Sequence, residues 1–561
     1  MPRRLAAIAG AEVAWLLELR FGGRDYRWST RHLALINGSG DSLDFGGSLE
    51  LDSYSESLDR FTHTADAQSI ALEVVFPDID LSDQVAKGYP LGAVEGEISL
   101  VQVLDGSPQQ TYEERSIVMR GSVSDPQYGQ PDRPTGYMAF SLEAALAEDS
   151  GSFLEPGQIL EEESLGSLGT WPDDNSHIGK PYPIVFGRPG MWRKPGSTGA
   201  LISTAATPAY IRTQVGSSSA GSVTSLLIAG HHVLASDVRV KSTKSGEDQK
   251  VFQGFDDLGH PVSWVDFRDI DGAGTITGFS ATEVKDSEWW IGWTRSGGYG
   301  LENPWAKGQG LGQAGDLIRW ALTYSTLPVD WGAWQAVADV LNGYEFSGYI
   351  SDSEISPWDW LQGLWALLPI TVRRGVNGIY PVLHDTGITS DQAIKITSSP
   401  DFSRAGPVQL EGSLADISNR IELAHAFNAR DNSARTYSAL GQFESQASEP
   451  ETGSSSIVKR SEERHGSRVL QESSAYIYQR STADRICHDL ARRHAPFART
   501  VQYRAAQSFV WLELGDSIAL TDTDLGYADR LSQVIARAWE GDAWLITLVL
   551  DSDPDRDNPA T

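Results

Sequence analysis

Cysteine is nearly absent from this chain: Cys487 stands alone among 561 residues. A single thiol closes no intrachain disulfide and removes every multi-cysteine zinc, iron–sulfur or CxxC redox site, so packing alone must hold the fold. Long apolar runs are also missing. The short apolar stretch after Arg3-Arg4 is interrupted by Glu12 and Glu18 before a signal-peptide core or a membrane span is complete, which predicts a soluble chain made in a cytoplasm. Positive charge is scarce, with 45 Lys plus Arg against 75 Asp plus Glu and a net charge of -30. Affinity for phosphate backbones comes from Lys and Arg displacing counterions, so this balance argues against wrapping nucleic acid. It leaves room for an acidic wall past which a polyanion slides without sticking.

Against these absences, 40% hydrophobic and 21% charged residues describe a folded globular protein. The length suggests about three to four domains. The first part reads as antiparallel β structure: in Glu12–Phe21 the residues Val13, Trp15, Leu17, Leu19 and Phe21 share one face, with Glu12, Glu18 and Arg20 on a wet face opposite. Ser69–Phe76 repeats the alternation until Pro77 ends it. From Glu143 to Asp174 a helix-like Leu/Ala stretch and a Glu/Ser/Gly run read as a connector. Strands are expected at Ser225–Leu227 and Trp289–Thr294, and helices at Asp316–Leu322 and after Ser356-Pro357, where a Ser cap precedes Pro at the first turn. Trp544, Ile546, Leu548 and Leu550 alternate in a last strand, before an acidic tail from Asp551 to Thr561.

The expected architecture is therefore mainly β with α+β insertions, in several domains. Residues 1–145 form an N-terminal β domain, 146–199 a connector with an extended strand, and 200–300 a β-rich decorating domain. Residues 301–375 form a helix-containing α+β region, and 376–561 a C-terminal β domain with a helix at about 481–494 and a mobile loop at about 444–456.

Chemical motifs fail in turn. Gly40-Asp41-Ser42-Leu43 spells an esterase signature, but it leads into another strand-like stretch and lacks a late DxxH; Asp484 and His488 share a helical face without a nucleophile. Gly310, Gly312 and Gly315 match GxGxxG, yet the segment before them is loop and not the buried strand a dinucleotide site needs. Asp266, Asp269, Asp271 and Gly272 miss the EF-hand register, with Gly278 where Glu should stand, and His231-His232 lacks zinc-ligand spacing. These failures predict no catalytic residue, no cofactor and no metal, and a protein that is not an enzyme. Of 18 tryptophans, 11 lie between Trp264 and Trp365, and Trp289, Trp290 and Trp293 are the candidates for contact with a glycan or a partner.

Three segments carry a family resemblance. The Trp15–Phe21 strand with Arg27-Trp28-Ser29-Thr30, the segment Ile178–Gly187 with its two prolines, and Leu512-Glu513-Leu514-Gly515-Asp516-Ser517-Ile518-Ala519-Leu520-Thr521-Asp522 together resemble the central tail hub (baseplate hub) proteins of tailed bacteriophages. The third segment follows a helix carrying Ala483, Ile486, Leu490 and Ala491 and a strand at Thr500–Ala506, as in that family.

The resemblance implies two tube-like β domains per chain, a homotrimer whose six β units match a hexameric tail tube, and a place at the distal tail tip of a virion. The implied partners are a distal tail protein or tube ring, the tape-measure protein and a central spike or fibre. DNA passes through without specific binding, and no membrane belongs to the assembled particle. The alternatives are a tail-associated glycan or peptidoglycan hydrolase and a carbohydrate-binding β protein.

Overall fold

The fold is seen in a computed structural model that describes residues 5, 8–51, 53–58, 69–92, 94–144, 149–153, 182, 184–188, 200–202, 210–213, 223–233, 239–242, 248–256, 258–266, 289–292, 301–350, 355–375, 377–384, 389–411, 417–428, 433–440, 454–496 and 498–550. It is mainly β, with two large sheets drawn from opposite ends of the chain and, apart from the short helix Leu81–Ala86, the α-helices of the described residues in the second half.

The strand Glu12–Phe21 forms as its alternation requires, with Trp15, Leu17 and Leu19 in the core. It lies between Arg24–Ser29 and Glu95–Leu104, and the antiparallel sheet continues through Ser116–Tyr128, Tyr137–Ala144 and Ser69–Val75 to the short Glu50–Leu51. The sheet curls on itself. Trp28 on its first strand donates its indole N–H to the Val75 carbonyl at 2.8 Å, and the Phe76 ring packs edge-on against Trp28 and Tyr26.

The expected wet face of Glu12–Phe21 is not wet along its length. Ala14 and Leu16 are buried, because the hairpin Leu33–Ile36 and Ser42–Phe45 folds over them and seals a small core with Leu35, Phe45, Val101 and Val103. Further along, Glu18 joins Arg27 and Arg115, and burial raises the Glu18 carboxyl above its ordinary pKa despite the Tyr112 hydroxyl and these guanidiniums. At the other end of this sheet, Glu143 and Ala144 close the strand Tyr137–Ala144, where a helix-like connector was expected to begin. Backbone pairing with Ser122 and Gly121 holds them extended.

The C-terminal sheet orders Ile394–Thr397, Ser517–Asp522, Tyr527–Glu540, Ala543–Leu550, Ala498–Ala506 and Phe402–Arg404; only its first pair is parallel. A seven-stranded sheet spans Ala200–Ile202 to Trp289–Gly292 in the middle of the chain. The helices Ala314–Leu322, Trp331–Leu341 and Pro357–Trp365 follow it. Ser356 caps the last, its hydroxyl accepting the Asp359 N–H at 3.1 Å, and Asp330 caps the second.

These helices share a core with Arg480–His494 and with the three-stranded sheet of Arg420–Asn428, Ser433–Leu440 and Val469–Ser473. Leu317, Trp334, Leu361, Leu423, Ile486 and Leu490 meet there. Within 376–561, then, residues 394–404 and 498–550 build the terminal sheet, while the stretch between them packs mainly with the helices. The loop expected at 444–456 gives way at its end to a helix, Ser454–His465, because Ile457 and Val458 have this core to bury into; residues 444–453 lie outside the described residues.

Candidate functional site

The two terminal sheets pack against each other through one shared core, and their meeting point is the candidate site. Trp15 of the N-terminal sheet lies 5.9 Å from Trp539 and 6.1 Å from Trp544 of the C-terminal one, centroid to centroid, and Trp539 and Trp544 are 5.1 Å apart. All three are buried in one hydrophobic core that runs through both sheets. The N–H of Val13 donates to the Gln507 side chain at 2.6 Å across the same boundary.

A strand crosses from one side to the other. Tyr54–Ser57 leaves the N-terminal part of the chain and pairs antiparallel with Tyr527–Glu540, so that Tyr54 stands opposite Trp539 and Glu56 opposite Arg537. The Tyr54 ring packs on Trp15 at 5.4 Å. Glu56 therefore sits in the cross-strand position that favours a salt bridge to Arg537.

Glu56 holds a second arginine. Arg373, on the hairpin of Ile370–Gly375 and Gly378–Leu383, reaches its other oxygen at 3.1 Å. The trio is buried, with side-chain exposures of 7% for Glu56 and 3% for Arg373. Burial alone would raise the Glu56 carboxyl, but the Arg537 and Arg373 guanidiniums outweigh it and hold the pKa below its ordinary value. Arg537 also donates to the carbonyls of Leu512, at 2.6 Å, and Val510. One carboxylate thus ties three parts of the chain: the crossing strand, the C-terminal sheet and the hairpin of the helical region.

Beside the trio lies a cavity of about 310 Å³, lined by both sheets, the hairpin and the helix Trp331–Leu341. Gly515 closes one wall with φ +87, and a side-chain carbon there would come within 2.4 Å of Val382. The turn expected at Gly515-Asp516 is thus also a close approach that only glycine permits.

The residues singled out from sequence fall elsewhere. Trp289 and Trp290 lie on the strand Trp289–Gly292, which pairs with Ala200–Ile202 and Arg239–Ser242; their side chains and all of Trp293 lie outside the described residues. Ser42 is exposed on the covering hairpin opposite Ile36. His231 accepts the Val185 N–H at 2.9 Å, and burial pushes its pKa down to about 4. Asp269, Asp271 and Gly272 lie outside the described residues. Trp358 and Trp365 pack together at 5.0 Å, as their spacing of two turns predicts.

Asp484 does meet a hydroxyl that spacing did not reveal. Ser438 donates to its carboxylate at 2.7 Å and lies 3.2 Å from His425 Nε2. This is not the catalytic order, since the carboxylate takes the serine proton instead of orienting the imidazole, and Ser438 is buried. Neither this trio nor the Glu56 trio leaves a linear motif, because each joins residues separated by tens to hundreds of positions.

No known family profile matches the chain, and no curated protein matches it. Among solved structures, it is similar to a tail protein from Neisseria meningitidis at 9% identity and a TM-score of 0.37, covering 97% of this chain and 98% of that one. A 43 kDa tail protein of prophage MuSo2 from Shewanella oneidensis aligns at 9% identity and a TM-score of 0.30, over 97% and 100% of the two chains. The prophage tail protein gp18 from Listeria monocytogenes aligns at 8% identity and a TM-score of 0.29, over 97% and 95%. These TM-scores are too low for the likeness to carry functional weight.

Proposed function

We propose that this chain is a structural protein of a tailed-bacteriophage particle, the hub at the distal end of the tail. The carrying observation is the fusion of two β sheets, one from each end of the polypeptide, through the Trp15, Trp539 and Trp544 core. In a homotrimer this gives six β units from three chains, which adapts a hexameric tube on one side to a threefold spike or fibre on the other. The remaining partners in this reading are a distal tail protein or tube ring and the tape-measure protein. DNA passes through the centre without specific binding, as suits a net charge of -30. A closed ring uses permanent interfaces and needs no catalytic group, so the chain acts by geometry.

Light scattering on the purified protein is expected to give three times the monomer mass, and negative-stain images to show rings with threefold symmetry and a hollow centre. A monomer at micromolar concentration, with no ring in the images, overturns the reading.

A further inference from the structure

The seven-stranded sheet in the middle of the chain meets the helical core at a histidine whose two ring nitrogens are both committed. The strand Ile184–Phe186 belongs to that core: it pairs with Gly348–Ile350, Phe186 is buried among the helices, and the Val185 carbonyl accepts the Leu301 N–H at 2.9 Å. The Val185 N–H donates to Nε2 of His231, which follows the strand Val223–Ala229 of the inserted sheet. The other nitrogen, Nδ1, lies 3.1 Å from the His232 carbonyl. An amide N–H only donates and a carbonyl only accepts, so the proton sits on Nδ1, Nε2 is bare and the ring is neutral. A proton on Nε2 would set N–H against N–H and break the bond to Val185.

The neighbouring groups do not share this behaviour. Tyr182 donates its hydroxyl to Asp256 at 2.5 Å, a second tie between the same two bodies, and His260 Nδ1 lies 3.2 Å from that carboxylate, so protonating His260 strengthens an ion pair. His232 donates from Nε2 to the Gly254 carbonyl at 2.8 Å and keeps that bond when charged. Among the described residues its field is the one that reaches His231, while Arg188 and Glu345 on the core side act on each other.

We propose that His231 is an acid-sensitive latch between the inserted sheet and the helical core: its neutral ring holds Val185 at neutral pH, and protonation at Nε2 releases that hold while the rest of the fold stays closed. Burial keeps the latched ring at a pKa of about 4, against the ordinary 6.5 of an exposed ring. The latched value is depressed, so the open form takes the proton more readily. The latch is at full strength above 6.5, weakens as pH falls below that value, and weakens no further below about 4. One proton binding with these two values opens it about 20-fold more at pH 5 than at pH 7. The latch is independent of the assembly proposed above.

Amide hydrogen exchange of the full chain, resolved to Val185 and expressed as protection factors to remove the intrinsic pH dependence of exchange, measures the opening. Protection at Val185 is expected to fall about 20-fold from pH 7 to pH 5, above the ordinary carboxylate range, with Glu12–Phe21 unchanged. His231→Gln keeps an acceptor for the Val185 N–H and does not titrate, so its protection is expected to change less than about twofold over the same range. Imidazole ¹⁵N shifts of the wild-type chain at pH 7 need no variant, and are expected to show Nε2 without a proton. Flat protection at Val185 in the wild type overturns the proposal, as does a proton on Nε2 at pH 7. So does an undiminished fall in folded His231→Gln, or an equal loss in Glu12–Phe21, which marks acid unfolding of the whole chain.

Discussion

Glu56 shows how much one side chain carries when it is the shared partner of two buried cations. Replacing it with Gln keeps the volume and removes the charge, leaving Arg373 and Arg537 without their common anion in a low-dielectric site. Breaking a buried pair from one side costs about 3–5 kcal/mol, more than the pair contributes relative to an apolar replacement. Urea unfolding of Glu56→Gln at pH 7 is expected to show a loss in this range. The pH dependence has a defined sign. The folded pKa of Glu56 lies below the ordinary 4.5, so its stabilisation is fully present above that value and is lost as pH falls from there through the folded pKa. The gap between wild type and Glu56→Gln is therefore expected to stay constant from pH 7 to 5 and to shrink below about pH 4.5. A gap that widens with acid would show that the two arginines do not dominate the site.

Among the elements, the covering hairpin of residues 33–45 behaves as part of the core and not as decoration. Phe45 is wholly buried against Leu16 and Val101, while Ile36 on the same hairpin is 50% exposed. Phe45→Ala is expected to cost about 3–5 kcal/mol, and Ile36→Ala less than about 0.5 kcal/mol, in denaturant unfolding. Similar costs at both positions would mean that the hairpin is not seated on the sheet. This hairpin also marks where sequence reading reaches its limit. The alternation in Glu12–Phe21 and the Ser356-Pro357 helix start are local signals, and both elements form where the pattern puts them. That Leu16 would be covered depends on a segment folding back from 17 to 29 residues away, which no local period encodes. Ser454–His465 was hidden for a related reason, since its Ser, Glu and Arg content reads as loop and only the contacts of Ile457 and Val458 with a distant core fix it as helix.

For the whole molecule, the order of segments along the chain is not the order of the cores. The terminal sheets were legible as separate β stretches, but the crossing strand Tyr54–Ser57 and the fact that much of the chain between Arg404 and Ala498 packs with the earlier helices were not, because pairing across nearly five hundred residues leaves no trace in composition. The consequence is mechanical: the two sheets cannot open independently if Trp15, Trp539 and Trp544 form one packed unit. Trp544→Leu removes aromatic contacts at the centre of that unit and should destabilise the fold by about 2–4 kcal/mol. If the sheets unfold together, native-state hydrogen exchange will report the same loss of protection in Glu12–Phe21 as in Ala543–Leu550, although the substitution lies in the latter. Protection that falls only in the C-terminal sheet, with Glu12–Phe21 unchanged, would mean two separable bodies in contact. A chain built from such bodies would transmit no strain from one sheet to the other.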